Sequence, residues 1–187
     1  MENLDFFNKV KGFFLSPVQT FQDVKDEAMR GALRYFIAWL IIYSILFAII
    51  ISLLGPIINP GPFQPIFDIT VGIFGAIALF FIVLIGGIIS IVIGAAIMHL
   101  FVILVGGKHG YAQTLKATAY SLTPMYLIGW IPLLGFAGAI WAFILVILGL
   151  RELHDISTGR AFLAAILPFI IITGVATAIV LTIGYPF

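Results

Sequence analysis

The chain has no cysteine and very little charge. Of its 187 residues, nine are Lys or Arg and eight are Asp or Glu, about 9% of the whole. Without cysteine there can be no disulfide framework, no thiolate nucleophile and no cysteine-based metal site. A soluble domain carries roughly 25% charged residues, and the few basic residues here are scattered rather than gathered into a stripe, which argues against nucleic acid as a partner. Hydrophobic residues make up 63%. A soluble domain of this length has nowhere to hide that much apolar surface, so the solvent must be lipid. No signal-peptide pattern is visible: the first long apolar run starts near Leu33, behind a charged, aromatic-rich segment.

The polar chemistry that marks pumps and enzymes is also missing from the apolar runs. No Asp, Glu, Lys or Arg stands in the middle of any of them, although intramembrane charge is the usual sign of a transport path. Ser121 has no nucleophile-elbow motif around it, and no carboxylate pair is spaced for acid–base work. His99, within about 10 Å of the Gly106 end of its run, suits a hydrogen bond to a neighbouring helix better than a metal. His109 and His154 fall in polar loops without ligand spacing. No cofactor, metal or catalytic residue is therefore expected.

What is present is a set of apolar segments. The expected architecture is all-α, a polytopic membrane helix bundle of five transmembrane helices preceded by N-terminal amphipathic interfacial helices. Residues 1–32 form the cytoplasmic segment and 33–187 the membrane domain, with spans near 33–54, 71–105, 115–131, 133–150 and 161–183. In the first segment Leu4, Phe6, Phe7, Val10, Phe13 and Phe14 recur at spacings of three and four, with Asp5, Asn8, Lys9 and Lys11 between them. That is an amphipathic pattern suited to the membrane interface. Ser16, Pro17 and Gln19 read as a capped helix start. Gly55-Pro56 ends the first span, and prolines 56, 60, 62 and 65 prevent a helix from continuing.

Val71–Val105 reads either as one long helix or as a hairpin broken at Gly86-Gly87. As one helix it puts every Lys and Arg on the same side; as a hairpin it sends Lys108, Lys116, Arg151 and Arg160 to the other. The positive-inside rule selects the single helix, with the N-terminus in the cytoplasm and the C-terminus outside. The third and fourth spans are short, and a re-entrant pair would satisfy the charges equally well. Gly86, Ser90 and Gly94 lie four apart, a small-residue stripe suited to helix packing, as do Gly138 with Ala142 and Gly174 with Ala178. Gln113, Lys116 and Tyr120 form a polar stripe at the cytoplasmic start of the third span. With His99 and His109 they are the candidate residues for a partner or lipid headgroup. Pro124 frees the Tyr120 carbonyl, which predicts a kink that Ser121 or Thr123 helps to satisfy.

The order Gly106-Gly107-Lys108, Gly110-Tyr111, Tyr120-Ser121-Leu122-Thr123-Pro124, Gly129-Trp130-Ile131-Pro132, and then Trp141 to Gly149-Leu150-Arg151-Glu152-Leu153-His154, resembles the Yip1 domain family. The Ser16-Pro17 to Phe21 segment resembles its prokaryotic members. The resemblance implies five spans, a cytoplasmic N-terminus and Gly106, Gly107, Gly110, Tyr111, Tyr120, Pro124, Pro132 and Trp141 as motif positions. Eukaryotic members reside in Golgi and endoplasmic reticulum membranes, bind Rab-type small GTPases and act in vesicle transport, usually with a longer cytoplasmic region. The thirty-residue region here points to a prokaryotic cell membrane, with a small GTPase implied only for a eukaryotic-like member. No catalytic residue is carried over. The function expected is a membrane scaffold or adaptor working through its cytoplasmic face, with the lipid bilayer, a cytoplasmic protein and further copies of itself as partners. The alternative is a small-solute transporter or channel.

Overall fold

The computed structural model describes residues 5–58, 72–131 and 133–184, and among these every regular element is helical. Two short helices, α1 (Phe6–Leu15) and α2 (Pro17–Asp23), precede α3 (Met29–Ile58) and α4 (Gly72–Leu104). A broken pair follows, α5 (Tyr111–Ser121) and α6 (Thr123–Ile128), then α7 (Leu134–His154) and α8 (Thr158–Gly184). Helices α3, α4, α7 and α8 each contain a stretch long and apolar enough to cross a membrane. Their outer surfaces carry Ile, Leu, Val and Phe in contact with the surroundings, as lipid-facing helices do.

α4 is continuous through Gly86-Gly87, so the hairpin reading is excluded. Thirty-three residues reach about 50 Å, more than the hydrocarbon core, and such a helix tilts or projects. It ends where Gly106 turns to φ +89 and Gly107 N–H bonds back to the Val102 carbonyl at 2.8 Å, a left-handed C-terminal cap. The first span runs four residues past the expected stop at Leu54. Pro56 lies inside α3, so the helix continues past the proline expected to end it. Asn59, the prolines at 60, 62 and 65, and Asp68 lie outside the described residues.

The third apolar stretch is broken at Leu122, as the Pro124 argument requires. Thr123 Oγ1 donates to the freed Tyr120 carbonyl at 2.6 Å, and Ser121 Oγ to that of Ala117 at 2.6 Å. α7 extends beyond Leu150, so Arg151-Glu152-Leu153-His154 is its last turn and not a loop. Arg151 suits the negative end of the helix dipole, and Asp155 stops the helix in the left-handed conformation (φ 52). Ser16 precedes α2 without a side-chain capping bond: its carbonyl accepts from Thr20 Oγ1, and Gln19 binds Asp23 instead.

The core lies where α1 and α2 fold back on the bundle. Phe13, Phe21, Val24, Tyr35, Tyr120, Leu145 and Leu150 are buried together. Phe13 stacks on Tyr120 at 5.3 Å and meets Phe21 at 4.9 Å. Gly149 makes room for this contact, because a methyl group on it would come within 2.8 Å of the Phe21 ring. The amphipathic segment thus turns one face to protein, while Phe7 and Leu15, each more than 70% exposed, point outward.

Among the described residues nothing packs closely on the small-residue stripe of α4. Gly86, Ser90 and Gly94 are exposed, and nothing lies within 4 Å of a methyl group built on either glycine. The register is shifted by one residue. Gly87, beside Leu40, and the buried Ile91 and Ala95 face the bundle. Gly138 does mediate a close approach, to Ile128 and the Pro124 carbonyl, each 3.1 Å from a methyl group built there. Gly174 faces open space.

Candidate functional site

The polar side chains converge on one end of the bundle, built from residues 5–28, the 105–110 turn, the start of α5 and the α7–α8 junction. Its centre is a buried ion pair. Lys9 Nζ donates to both oxygens of Glu27, at 2.7 and 2.8 Å, and Tyr120 Oη donates to Glu27 Oε2 at 2.5 Å. Lys9 also stands over the rings of Tyr120 and Tyr35, 5.4 and 6.0 Å from their centroids, where the ring faces favour a desolvated cation. Tyr35 Oη is hydrogen-bonded to Thr123 Oγ1 at 2.9 Å, which ties the ring cluster to the break between α5 and α6.

Lys116 is a second tether. Its ammonium donates to the carbonyls of Lys25 at 2.6 Å and Glu27 at 2.9 Å, and more weakly to that of Val24 at 3.4 Å. Gln113 Nε2 donates to the same Lys25 carbonyl at 3.2 Å. A chain leaving α2 exposes carbonyls without helical partners, and α5 supplies the donors. Across the surface, Lys25 Nζ meets Asp155 Oδ1 at 2.6 Å and Gln22 meets Glu152 at 2.8 Å. The Lys25 hydrogen bond, its charge, and the charges of His109 and Lys108 hold the exposed Asp155 carboxyl below the usual carboxylate value.

A third group joins three helices. Thr114 Oγ1 bonds His99 Nδ1 at 2.8 Å and His154 Nε2 at 2.9 Å. One hydroxyl thereby bridges α4, α5 and α7, with Tyr111 edge-on to His99. His154 is fully buried, not in a loop. His109 is half-buried and 3.7 Å from Asp155. Among the described residues no group of three His, Asp or Glu side chains is placed to hold a metal.

The five residues expected to face a partner therefore divide. Lys116 and Tyr120 are buried beneath α1 and α2, Gln113 lies partly beneath them, and His99 joins helices. His109 alone of the five stands at the rim. Lys9 and Glu27, the central pair, were missed because amphipathic spacing places Lys9 on a polar face. Glu27 stands close in sequence to Lys25 and Arg30, so nothing local pointed to Lys9 as its partner. Of the motif glycines, Gly106 and Gly107 make the cap of α4 and Gly110 is the N-cap position of α5. Trp141 Nε1 reaches the Phe13 carbonyl at 3.4 Å. Pro132 lies outside the described residues.

These features define a multi-pass α-helical membrane protein whose polar end is closed by its own N-terminal helices. The Yip1 domain family model matches residues 11–179, nearly the whole chain, and the chain belongs to that family. It lies in a lipid bilayer. No curated protein and no solved structure matches it.

Proposed function

We propose that this protein is a non-enzymatic membrane scaffold or adaptor with five crossings, the third made by the broken α5–α6 pair, and with its polar end in the cytoplasm. The observation that carries the reading is the fastening of residues 5–28 across that end by Lys9–Glu27–Tyr120, Lys116 and Lys25–Asp155. Such fastening makes a rigid surface rather than a loose tail. Its outward side chains include Lys11, Gln19, Asp23 and Asp26, all exposed, and a cytoplasmic protein would read them. The positive-inside rule supports the orientation, and the resemblance of the Ser16-Pro17 to Phe21 segment to prokaryotic members supports a prokaryotic cell membrane.

A photo-crosslinking residue at Asp26, compared with one at Phe74 on the far end of α4, tests this in native membranes. A discrete protein adduct from position 26 alone is expected. Adducts from position 74 alone, or none from position 26, would refute it. A small-solute transporter is the second reading, favoured by the helix break at Leu122 inside the bundle. Solute flux in proteoliposomes, abolished by Pro124→Ala, would establish it instead.

A further inference from the structure

Away from the polar network, α4, α5, α7 and α8 line an open-sided cavity of about 590 Å³, and Gly94, Ala139, Ile140 and Phe169 on its walls are exposed. Small residues create it: Gly94, Ala139 and Ala165 line it where larger side chains would meet, and Pro168 interrupts the hydrogen bonding of α8 beside it. Phe143 and Phe169 form further walls. The hydroxyl of Thr118 is turned away, donating to the Thr114 carbonyl at 2.9 Å. Water needs two to four polar partners to settle in such a space, and the lining is almost wholly apolar. A void left empty forfeits the dispersion contacts of its walls. Because the mouth opens on hydrocarbon, an acyl chain is the occupant at hand.

The seam between α4 and α8 leads up to a cationic rim. Arg160, in the first turn of α8, lies over Gly106 at the end of α4: a methyl group built on Gly106 would come within 3.5 Å of its Nη1. Among the described residues Arg160 has no carboxylate partner, and the nearby Asp155 is already paired with Lys25. Lys108 is exposed on the same turn, and the positive end of the α8 dipole adds to the field. Gly94 lies about 18 Å along α4 from Gly106. That is close to one leaflet of a hydrocarbon core about 30 Å thick.

We propose that this seam is a binding site for one anionic phospholipid, with its phosphate on Arg160 and Lys108 and one acyl chain in the cavity. The site does not depend on the scaffold reading, since it uses neither α1 nor α2. It gives Gly94 a role on a helix face against which no described residue packs closely.

Native mass spectrometry of the detergent-purified full chain tests it, with phosphatidylglycerol and phosphatidylcholine of identical chains as probes. The wild type should bind one phosphatidylglycerol in preference to phosphatidylcholine. Arg160→Gln should reduce that preference about fivefold, as expected for one basic group at an anionic surface. Gly94→Leu places its side chain in the cavity from a position where the first added carbon meets no described atom within 4 Å, and should weaken both lipids about equally; Ala139→Phe, at an exposed position, should do the same. Circular dichroism melts confirm that each variant is folded. Equal binding of both lipids by the wild type, or binding unchanged in both cavity variants, would overturn the proposal. So would a wild-type dimer that Gly94→Leu converts to monomer, because a second copy would then occupy the seam.

Discussion

Removing the ammonium of Lys9 is the most direct test of how residues 5–28 are held. Side-chain exposures of 7% for Lys9 and 14% for Glu27 put this pair outside the regime of screened surface bridges worth 0–1 kcal/mol. Lys9→Met keeps the length and apolar stem but leaves the Glu27 carboxylate with Tyr120 as its only remaining side-chain donor. Breaking one side of a buried pair costs about 3–5 kcal/mol. Retaining the Tyr120 bond argues for the lower end, about 3 kcal/mol, equivalent to roughly a hundredfold in a local opening equilibrium. Native-state hydrogen exchange of the detergent-solubilised protein reads that equilibrium directly. Amides of α1 and α2 should exchange about a hundredfold faster in Lys9→Met, while those in the middle of α4 change little. Adding Glu27→Leu should recover most of the protection, since an apolar pair can replace a buried ionic one at little net cost. Exchange within about threefold of wild type in Lys9→Met, or a double variant worse than either single one, would show that the aromatic contacts hold the segment and the ion pair does not.

Tyr120→Phe removes one hydrogen bond to a charged acceptor and should cost about 1.5–3 kcal/mol of thermal stability, read by melting in detergent; an unchanged melt would mean Lys9 alone satisfies Glu27. Gly149→Ala presses a methyl group between the Phe21 ring and Ala117 and should destabilise by about 1–3 kcal/mol, whereas Gly86→Ala should be silent because nothing lies near it. Lowering the pH below 3.8, the ordinary Asp value, should loosen the Lys25–Asp155 tether: the folded-state value is depressed, so the contribution is complete above 3.8 and fades as pH falls through the folded value. The separation of spin labels at Gln22 and Glu152, which meet across the same surface, is the readout with the Lys25–Asp155 pair left intact, and a flat profile from pH 5 to pH 2 would contradict it. Cysteines at Lys108 and Arg160 should react with an impermeant reagent only from the cytoplasmic side, and external labelling at either would reverse the orientation.

Helix existence and order were legible because the apolar runs are long and the punctuation is strong. The unbroken α4 followed from charge placement, and the break at Leu122 from the effect of one proline on one carbonyl. Helix ends were less legible. Arg151–His154 looks like a loop by polarity, yet a charged last turn is favourable at the C-terminal end of a membrane helix. The α4 packing face was missed by one residue. A run in which nearly every side chain is apolar carries almost no periodic signal, so a neighbouring small residue, Gly87, cannot be told from Gly86. The buried pair was beyond reach for a different reason: Lys9 meets Glu27 only once α1 and α2 fold back, a tertiary contact that no local spacing encodes.

On the proposed adaptor reading, that fold-back changes which residues a cytoplasmic partner could use. Lys116 and Tyr120 looked like an open polar stripe, and a partner recruited by them would have to displace the three carbonyls on Lys116 and the carboxylate on Tyr120. It would also uncover Phe13 and Phe21, both fully buried. Fully burying one such side chain contributes about 1.5–3 kcal/mol, so exposing two aromatics, a buried carboxylate and several backbone acceptors together exceeds the about 8 kcal/mol that a micromolar complex releases. A partner that leaves the segment seated incurs none of this cost. On the proposed adaptor reading, such a partner would meet the outer faces of α1 and α2 instead, and Tyr120 and Lys116 would act on it indirectly, by holding those faces in place.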